Sequence, residues 1–296
     1  MLFKKLPLCL ILVLVLSGCS LNSDVKANKN KTSNNKQSQD NYKTSSKPDY
    51  KVPYKTFTPI EVPNVLSLQT KKITWSWKYS PKTNKALLSR YQGYAFGDIT
   101  SKVIYLTFDE GYENGYTTSI LDTLKANNVQ AAFFVTQPFV TGSFKGVKNL
   151  DLVKRIFGEG NLICNHSVHH KSMPGFINES TFNTELTGVE STVNNISGIK
   201  MSKFFRPPMG DFSELSLYYT QKLGYRTIFF AFGYNDWDPK NQPNLVIAKQ
   251  EILKETKPGM ICLLHPESKT NALILDSLIK EWKSEGYIFK TLNELI

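Results

Sequence analysis

Asp109, Glu110 and Glu113 crowd one turn after the apolar run Val103-Ile104-Tyr105-Leu106, and all four histidines of the chain stand at comparable places. Three imidazoles fall in one pentapeptide, His166-Ser167-Val168-His169-His170, behind Leu162-Ile163-Cys164; the fourth, His265, follows Met260-Ile261-Cys262-Leu263-Leu264. A carboxylate can take a proton from water, an imidazole can give one to a leaving group, and neutral imidazoles can hold a divalent ion. His166 and His170 are four apart, which on one turn of helix or a helical loop puts both rings on one side. A carboxylate from the first strand would complete a set of two nitrogens and an oxygen with a position open for water or substrate, the composition of a catalytic metal site. Taken singly, each feature has a plainer explanation: an acidic turn caps a helix, and a lone histidine is satisfied within a core. Four histidines at equivalent places are not explained that way.

The elements that must position these groups follow from the hydrophobic pattern. Strand-like runs cover Val103 to Phe108, Gln130 to Val135, Asn161 to Asn165, Lys203 to Arg206, Arg226 to Phe232, Met260 to His265 and Tyr287 to Lys290. Helical patterns lie between them, over 119–125 and about 151–158, 180–196, 213–223, 245–256 and 270–285. Strand–helix alternation at this spacing implies a parallel sheet. With every candidate group at a strand's C-terminal end, a closed or nearly closed barrel is favoured over an open sheet. Cys164 and Cys262 sit inside apolar runs and read as small hydrophobes. There is no internal repeat, phosphate-cradling glycine loop or heptad pattern.

The N-terminal part is of another kind. Lys4 and Lys5 precede an apolar run from Leu6 to Leu16 and then Ser17-Gly18-Cys19, the form of a secretory signal. Residues 20–58 are rich in Asn, Lys, Ser, Thr and Gln and nearly lack large aliphatics, so they read as a disordered basic tether. That tether holds eight lysines against three aspartates; with Lys4 and Lys5 it accounts for seven of the eleven net positive charges. The basic balance therefore belongs mostly to tail and signal, and a nucleic-acid partner loses its main support. Residues 59–100, with Trp75-Ser76-Trp77 and an aromatic stretch from Tyr91 to Phe96, read as an extension packed on a single domain formed by 101–296.

TFDEGYENG, HSVHH, RPPMG, DW and LLHP occur in the order and rough spacing of the NodB-type polysaccharide deacetylases, family four of the carbohydrate esterases. WSWKY, then YAFGD and YLTFDEGYENGYT, resembles more closely the spore-cortex branch, the peptidoglycan N-acetylmuramic acid deacetylases that act in muramic δ-lactam formation. The resemblance covers roughly residues 65 to 296. It implies an α/β fold, a deformed (β/α) barrel of about seven parallel strands, and metal-assisted removal of acetate from an N-acetylated sugar. By position it makes Asp109 the base, His265 the general acid, Arg206 the contact of the base and Asp236 the partner that orients and tunes the acid. The backbone N–H of Met209 becomes an oxyanion donor and Trp237 an apolar wall around the acetyl methyl. His166 and His170 become ligands of a divalent metal, expected to be zinc. Glu110 stands where the wider family usually has a metal-ligating aspartate; its extra methylene displaces the oxygen or turns it away. His169 is expected to serve structure.

The signal's ending resembles the bacterial lipobox, which implies a lipidated Cys19 and a protein held at the extracytoplasmic face of the cell membrane, with peptidoglycan glycan strands as partner. Within the enzyme class, N-acetylglucosamine in wall polymer, chitin and xylan remain alternative substrates. Outside it stand a non-catalytic wall-binding lipoprotein and a glycosidase using Asp109 with Glu110 or Glu113. The last requires two opposed carboxylates and leaves three histidines idle.

Overall fold

The computed structural model describes residues 53–76 and 81–295; the signal segment, Cys19, most of the tether and Trp77 lie outside the described residues. Seven parallel strands curl round one interior: β1 (Val103–Glu110), β2 (Ala132–Val135), β3 (Leu162–Asn165), β4 (Phe204–Phe205), β5 (Arg226–Ile228), β6 (Met260–Leu264) and β7 (Ile288–Phe289). Their order is β6-β1-β2-β3-β4-β5, with β7 paired to the first residues of β1. Every strand expected from the apolar runs is present. The run Arg226 to Phe232 keeps regular pairing only to Ile228, because its last residues swing across to β6. There Ala231 N donates to Ile261 O at 2.9 Å, and Leu263 N donates to Phe232 O at 2.9 Å. This contact, with a second bridge from Phe96 to Met260, draws the two ends of the curled sheet together and accounts for the deformed barrel.

β1 is buried along its whole length because both faces are covered. Ile104, Leu106 and Phe108 face outward, against helices that include α1 (Thr117–Ala126) and, at the chain's end, α6 (Lys269–Ser284). Val103 and Tyr105 face the interior and pack with Phe134, Cys164, Phe204, Ile228 and Ile261. The alternation is that of any strand, with successive side chains on opposite faces. It puts Cys164 in the interior and Cys262 on the outer face, both buried and both free. Four more helices, α2 (Leu150–Gly158), α3 (Glu179–Ser197), α4 (Glu214–Lys222) and α5 (Leu245–Lys254), fall on the helical patterns, whereas the helix Pro81–Arg90 in the extension and the short Gln137–Thr141 after β2 were not expected. Asn178, Ser213, Asn244 and Ser268 cap α3, α4, α5 and α6 through side-chain oxygens.

The N-terminal extension is woven into this frame. Gly93–Tyr94 adds an eighth, parallel strand beside β5, and Ile73–Thr74 pairs antiparallel with Asp211–Phe212. Trp75 is thereby laid on Phe229, ring centroids 4.6 Å apart, and its Nε1 donates to Phe230 O at 2.8 Å. The packed chain also starts earlier than residue 59, since Tyr54 and Phe57 both lie against the Arg226 guanidinium, at 4.7 and 4.8 Å. The close approach of extension and barrel requires glycine at 210. Gly210 has φ +69, its carbonyl accepts from Trp75 N at 2.9 Å, and an added Cβ would stand 2.8 Å from Trp75 O. Gly210→Ala is expected to lower stability by roughly 1–3 kcal/mol, read as the shift in urea or thermal midpoint.

Candidate active site

Because odd-numbered residues of β1 face the interior, Thr107 and Asp109 rise at the C-terminal mouth of the barrel. The parallel register pairs Phe108 with Leu264, so Asp109 and His265 emerge side by side from neighbouring strands. Asp109, His166, His170, Arg206, Met209, Trp237 and His265 all line one cavity of about 870 Å³, walled on the extension side by Trp75. The structure thus gathers seven of the nine residues singled out in the sequence into one space. Asp236 stands directly behind them, fully buried against His265. Glu110 does not join them.

Arg206 is 1% exposed and spends its donors on named partners. Nη1 reaches Asp109 Oδ1 at 2.7 Å, Nη2 reaches Thr107 Oγ1 at 2.9 Å, and Nε reaches Ile228 O at 3.1 Å. Its guanidinium lies 4.2 Å from the centre of the Phe134 ring. Burial alone would raise the Asp109 carboxyl, but Arg206, with the imidazoles of His166 and His265, outweighs it and holds Asp109 below its usual value. The carboxylate is therefore kept ionised despite its burial. Across from it, His265 Nδ1 lies 2.7 Å from Asp236 Oδ1, and His265 N donates to Asp236 Oδ2 at 2.9 Å. Burial disfavours the imidazolium, yet Asp236 overrides it and pushes His265 up to about 9. Asn271 donates to Asp236 Oδ2 and to His265 O, and accepts from Tyr234 Oη, which locks the pair in place. The Trp237 ring, 41% exposed, stands 5.7 Å from the His265 ring.

The histidine pentapeptide is a bent loop, not a helical turn, and Ser167 and His170 both take left-handed φ, 71 and 51. The bend still brings the rings of His166 and His170 edge to face, 4.9 Å apart. His166 Nδ1 pairs with Arg206 O at 2.8 Å, which leaves Nε2 toward the cavity, 3.5 Å from Asp109 Oδ2. Burial lowers both rings, His166 to about 4, so each is neutral at ordinary pH, the state in which imidazole binds a cation. His169 turns out of the cavity to Glu185, Nδ1 to Oε1 2.6 Å, and braces the loop from outside.

The expected third ligand is corrected by the strand's own alternation. Glu110 belongs with Ile104, Leu106 and Phe108 on the outer face, fully buried, and its carboxyl accepts from Thr117 Oγ1 at 3.2 Å. Burial and the neighbouring Glu267 and Glu113 raise it. Among the described residues no three His, Cys, Asp or Glu side chains already stand at ligand spacing. The fit to a cation is thus of a definite kind: two neutral imidazoles beside an ionised carboxylate, with remaining positions left to water or substrate. Glu113 proves to serve the turn and helix, accepting from Gly115 N and, at 3.5 Å, Thr117 N.

The sequence reading missed Thr107, Trp75, Asn271 and Glu267. Thr107 carries a legible signal, since it shares a strand face with Asp109. Glu267 follows His265 by two residues, but nothing in its type distinguishes it from a loop acid. Asn271 and Trp75 arrive through folding of distant segments.

A carboxylate held ionised and an imidazole held protonated, side by side at one cavity, form the pair that general acid–base catalysis requires. The chain matches the family model for polysaccharide deacetylase over residues 97–228. It is 38% identical over 232 residues to the peptidoglycan-N-acetylmuramic acid deacetylase PdaA of Bacillus subtilis, covering 76% of this chain and 86% of that protein. The PdaA structure, described as a family 4 carbohydrate esterase, superimposes with a TM-score of 0.72 over 77% of this chain and 98% of that one. A family 4 carbohydrate esterase of Bacillus anthracis, 36% identical, gives 0.66 over 77% of this chain and 98% of that one. The peptidoglycan-N-acetylglucosamine deacetylase PgdA of Listeria monocytogenes is 32% identical over 196 residues, 66% of this chain and 39% of that protein. The chain belongs to the polysaccharide deacetylase family, hydrolases that act on amide bonds within a NodB-type fold.

The opposed states of the two groups set a pH window. As a base Asp109 would act ionised, and it is held low, so it would not limit activity near neutrality. As an acid His265 would act protonated, and it loses its proton as pH rises through about 9. In a kcat/KM profile the alkaline limb is expected near pH 9. Asp236→Asn removes the charge that raises His265, so that limb is expected to move to lower pH and kcat to fall about 10²-fold or more.

Proposed function

We propose that the protein removes acetate from the N-acetylmuramic acid of peptidoglycan glycan strands, in the formation of muramic δ-lactam in spore cortex. The observation that carries the chemistry is the emergence of Asp109 and His265, in opposite charge states, from adjacent strand ends at one cavity. The muramic acid preference is supported by the likeness to PdaA across most of both chains. The Listeria relative favours N-acetylglucosamine as the second reading.

In this reading Asp109 takes a proton from the water that attacks the acetamide carbonyl. Arg206 keeps that carboxylate ionised until the transfer and fixes its orientation. The C–N bond then breaks as His265 gives its proton to the departing sugar nitrogen, because an amine leaves an amide only when protonated. Asp236 stabilises the imidazolium before the transfer and holds Nδ1, so that Nε2 is the nitrogen that delivers the proton. Acetate and a free amine result. The backbone N–H of Met209, a residue in left-handed conformation (φ 58) at the cavity wall, is assigned to the carbonyl oxygen as negative charge develops. Trp237 walls the acetyl methyl. His166 and His170 would hold a divalent ion, zinc being the expected one; when bound, it polarises the acyl oxygen and acidifies water. Lipidation at Cys19 would keep the enzyme at the outer face of the membrane, where wall polymer is in reach. No described helix is long and apolar enough to cross a membrane.

Acetate release from purified glycan strands tests the chemistry. Asp109→Asn and His265→Ala are each expected to reduce it by about 10²–10⁴-fold. If neither variant changes acetate release, a wall-binding role replaces catalysis. Dialysis against a chelator is expected to abolish activity, and added zinc or another divalent ion to restore it. Muropeptide mass spectrometry of a deletion strain tests the substrate, and unchanged δ-lactam content there rejects the spore reading.

A further inference from the structure

The hydrogen-bond ladder between β1 and β6 ends at Phe108 and Leu264, one residue short of Asp109 and His265. What holds the two loops together beyond that point is a side chain with no part in the chemistry above. Glu267 Oε1 accepts from Gly111 N at 2.9 Å and from Tyr112 N at 3.2 Å, and its backbone carbonyl accepts from Asn114 Nδ2 at 2.9 Å. Gly111 follows Asp109 by two residues, and Glu267 follows His265 by two. The far side of the same turn is tied to the end of β2, where Thr136 Oγ1 donates to Gly111 O at 3.0 Å.

Glu267 occupies a costly position. It is 4% exposed, its Oε2 is buried with no hydrogen-bond partner, and its carboxyl lies beside that of Glu110, which also has Glu113 near it. Burial raises it to about 7. A buried carboxyl among carboxyls works against the fold unless its bonds do something an apolar residue could not. Here they join the loop that carries the base to the loop that carries the acid.

We propose that Glu267 is a positioning residue, the strut that fixes the gap across which Asp109 and His265 act. The inference rests on the base and acid assignment of those two residues. A shift of about 1 Å between reacting groups costs on the order of 10²-fold in rate, so a strut at this place is read in kcat and not in substrate binding.

The test compares Glu267→Ala and Glu267→Gln with the parent chain on purified glycan strands, following acetate release, with thermal unfolding to confirm that both fold. Glutamine keeps a carbonyl oxygen for the Gly111 and Tyr112 N–H groups, whereas alanine removes it. Glu267→Ala is expected to lower kcat by about 10–100-fold with KM within about threefold, and Glu267→Gln to return kcat to within about threefold of the parent. An unchanged kcat in Glu267→Ala, a loss confined to KM, or a glutamine variant no better than alanine overturns the strut. Asp109→Asn, run alongside, separates the two failures: if that variant keeps full activity, the base assignment falls, and if it is dead while Glu267→Ala is unimpaired, only the strut falls.

Discussion

The ion pair between Arg206 and Asp109 is the constraint on which the site depends. Burying two charges is unfavourable unless geometry and further bonds offset the lost hydration. Arg206 meets that condition by reaching across the barrel from β4's end to Thr107 and Asp109 on β1 and to the carbonyls of Ile228 and Phe229 after β5. It stacks on Phe134 of β2, and its own carbonyl orients His166. One side chain therefore ties four strand ends into a common ceiling over the apolar interior and sets the charge of the base. Removing either partner would leave the other buried and unpaired, a loss of about 3–5 kcal/mol, so the pair is as much a keystone of the fold as of the chemistry.

The acid half is built from the same materials with the balance reversed. Asp236 and Asp109 are both buried carboxylates, but Asp109 faces a fixed cation whereas Asp236 faces a group that can lose its proton. With Arg206 the outcome is a carboxylate that stays ionised; with His265 it is an imidazole that stays charged. One fold runs both at neutral pH because their neighbours differ. Asn271, delivered by the first turn of α6 behind its Ser268 cap, completes the acid half, so a helix start holds the carboxylate and the strand-end histidine in register.

Much of this was legible in the chain. The seven apolar runs correspond to seven strands, and the candidate groups fall at their C-terminal ends because a parallel barrel opens its loops there. The family motifs brought Asp109, His166, His170, Arg206, Met209, Trp237 and His265 into one cavity. What was hidden depended on geometry that spacing does not encode. The pentapeptide looked suited to a helical turn, yet two left-handed residues bend it instead, and the rings converge by a different route. The run ending at Phe232 was one strand in pattern but divides its pairing between two neighbours, which is how a short sheet closes. The role of the extension depended on Gly210, whose missing Cβ admits Trp75 to the cavity wall.

Glu110 shows where a motif and a strand period make conflicting demands. In a turn, adjacent acids can face one centre; in a continuing strand they must face opposite sides. β1 continues through Glu110, so Asp109 keeps the cavity and Glu110 is sent under α1, to Thr117. There its carboxyl lies beside those of Glu267 and Glu113, and of the three only Glu267 also reaches the cavity wall. What remains on the cavity side is the pair of imidazoles, His166 and His170, lowered by burial, with the Asp109 carboxylate 3.5 Å from His166 Nε2.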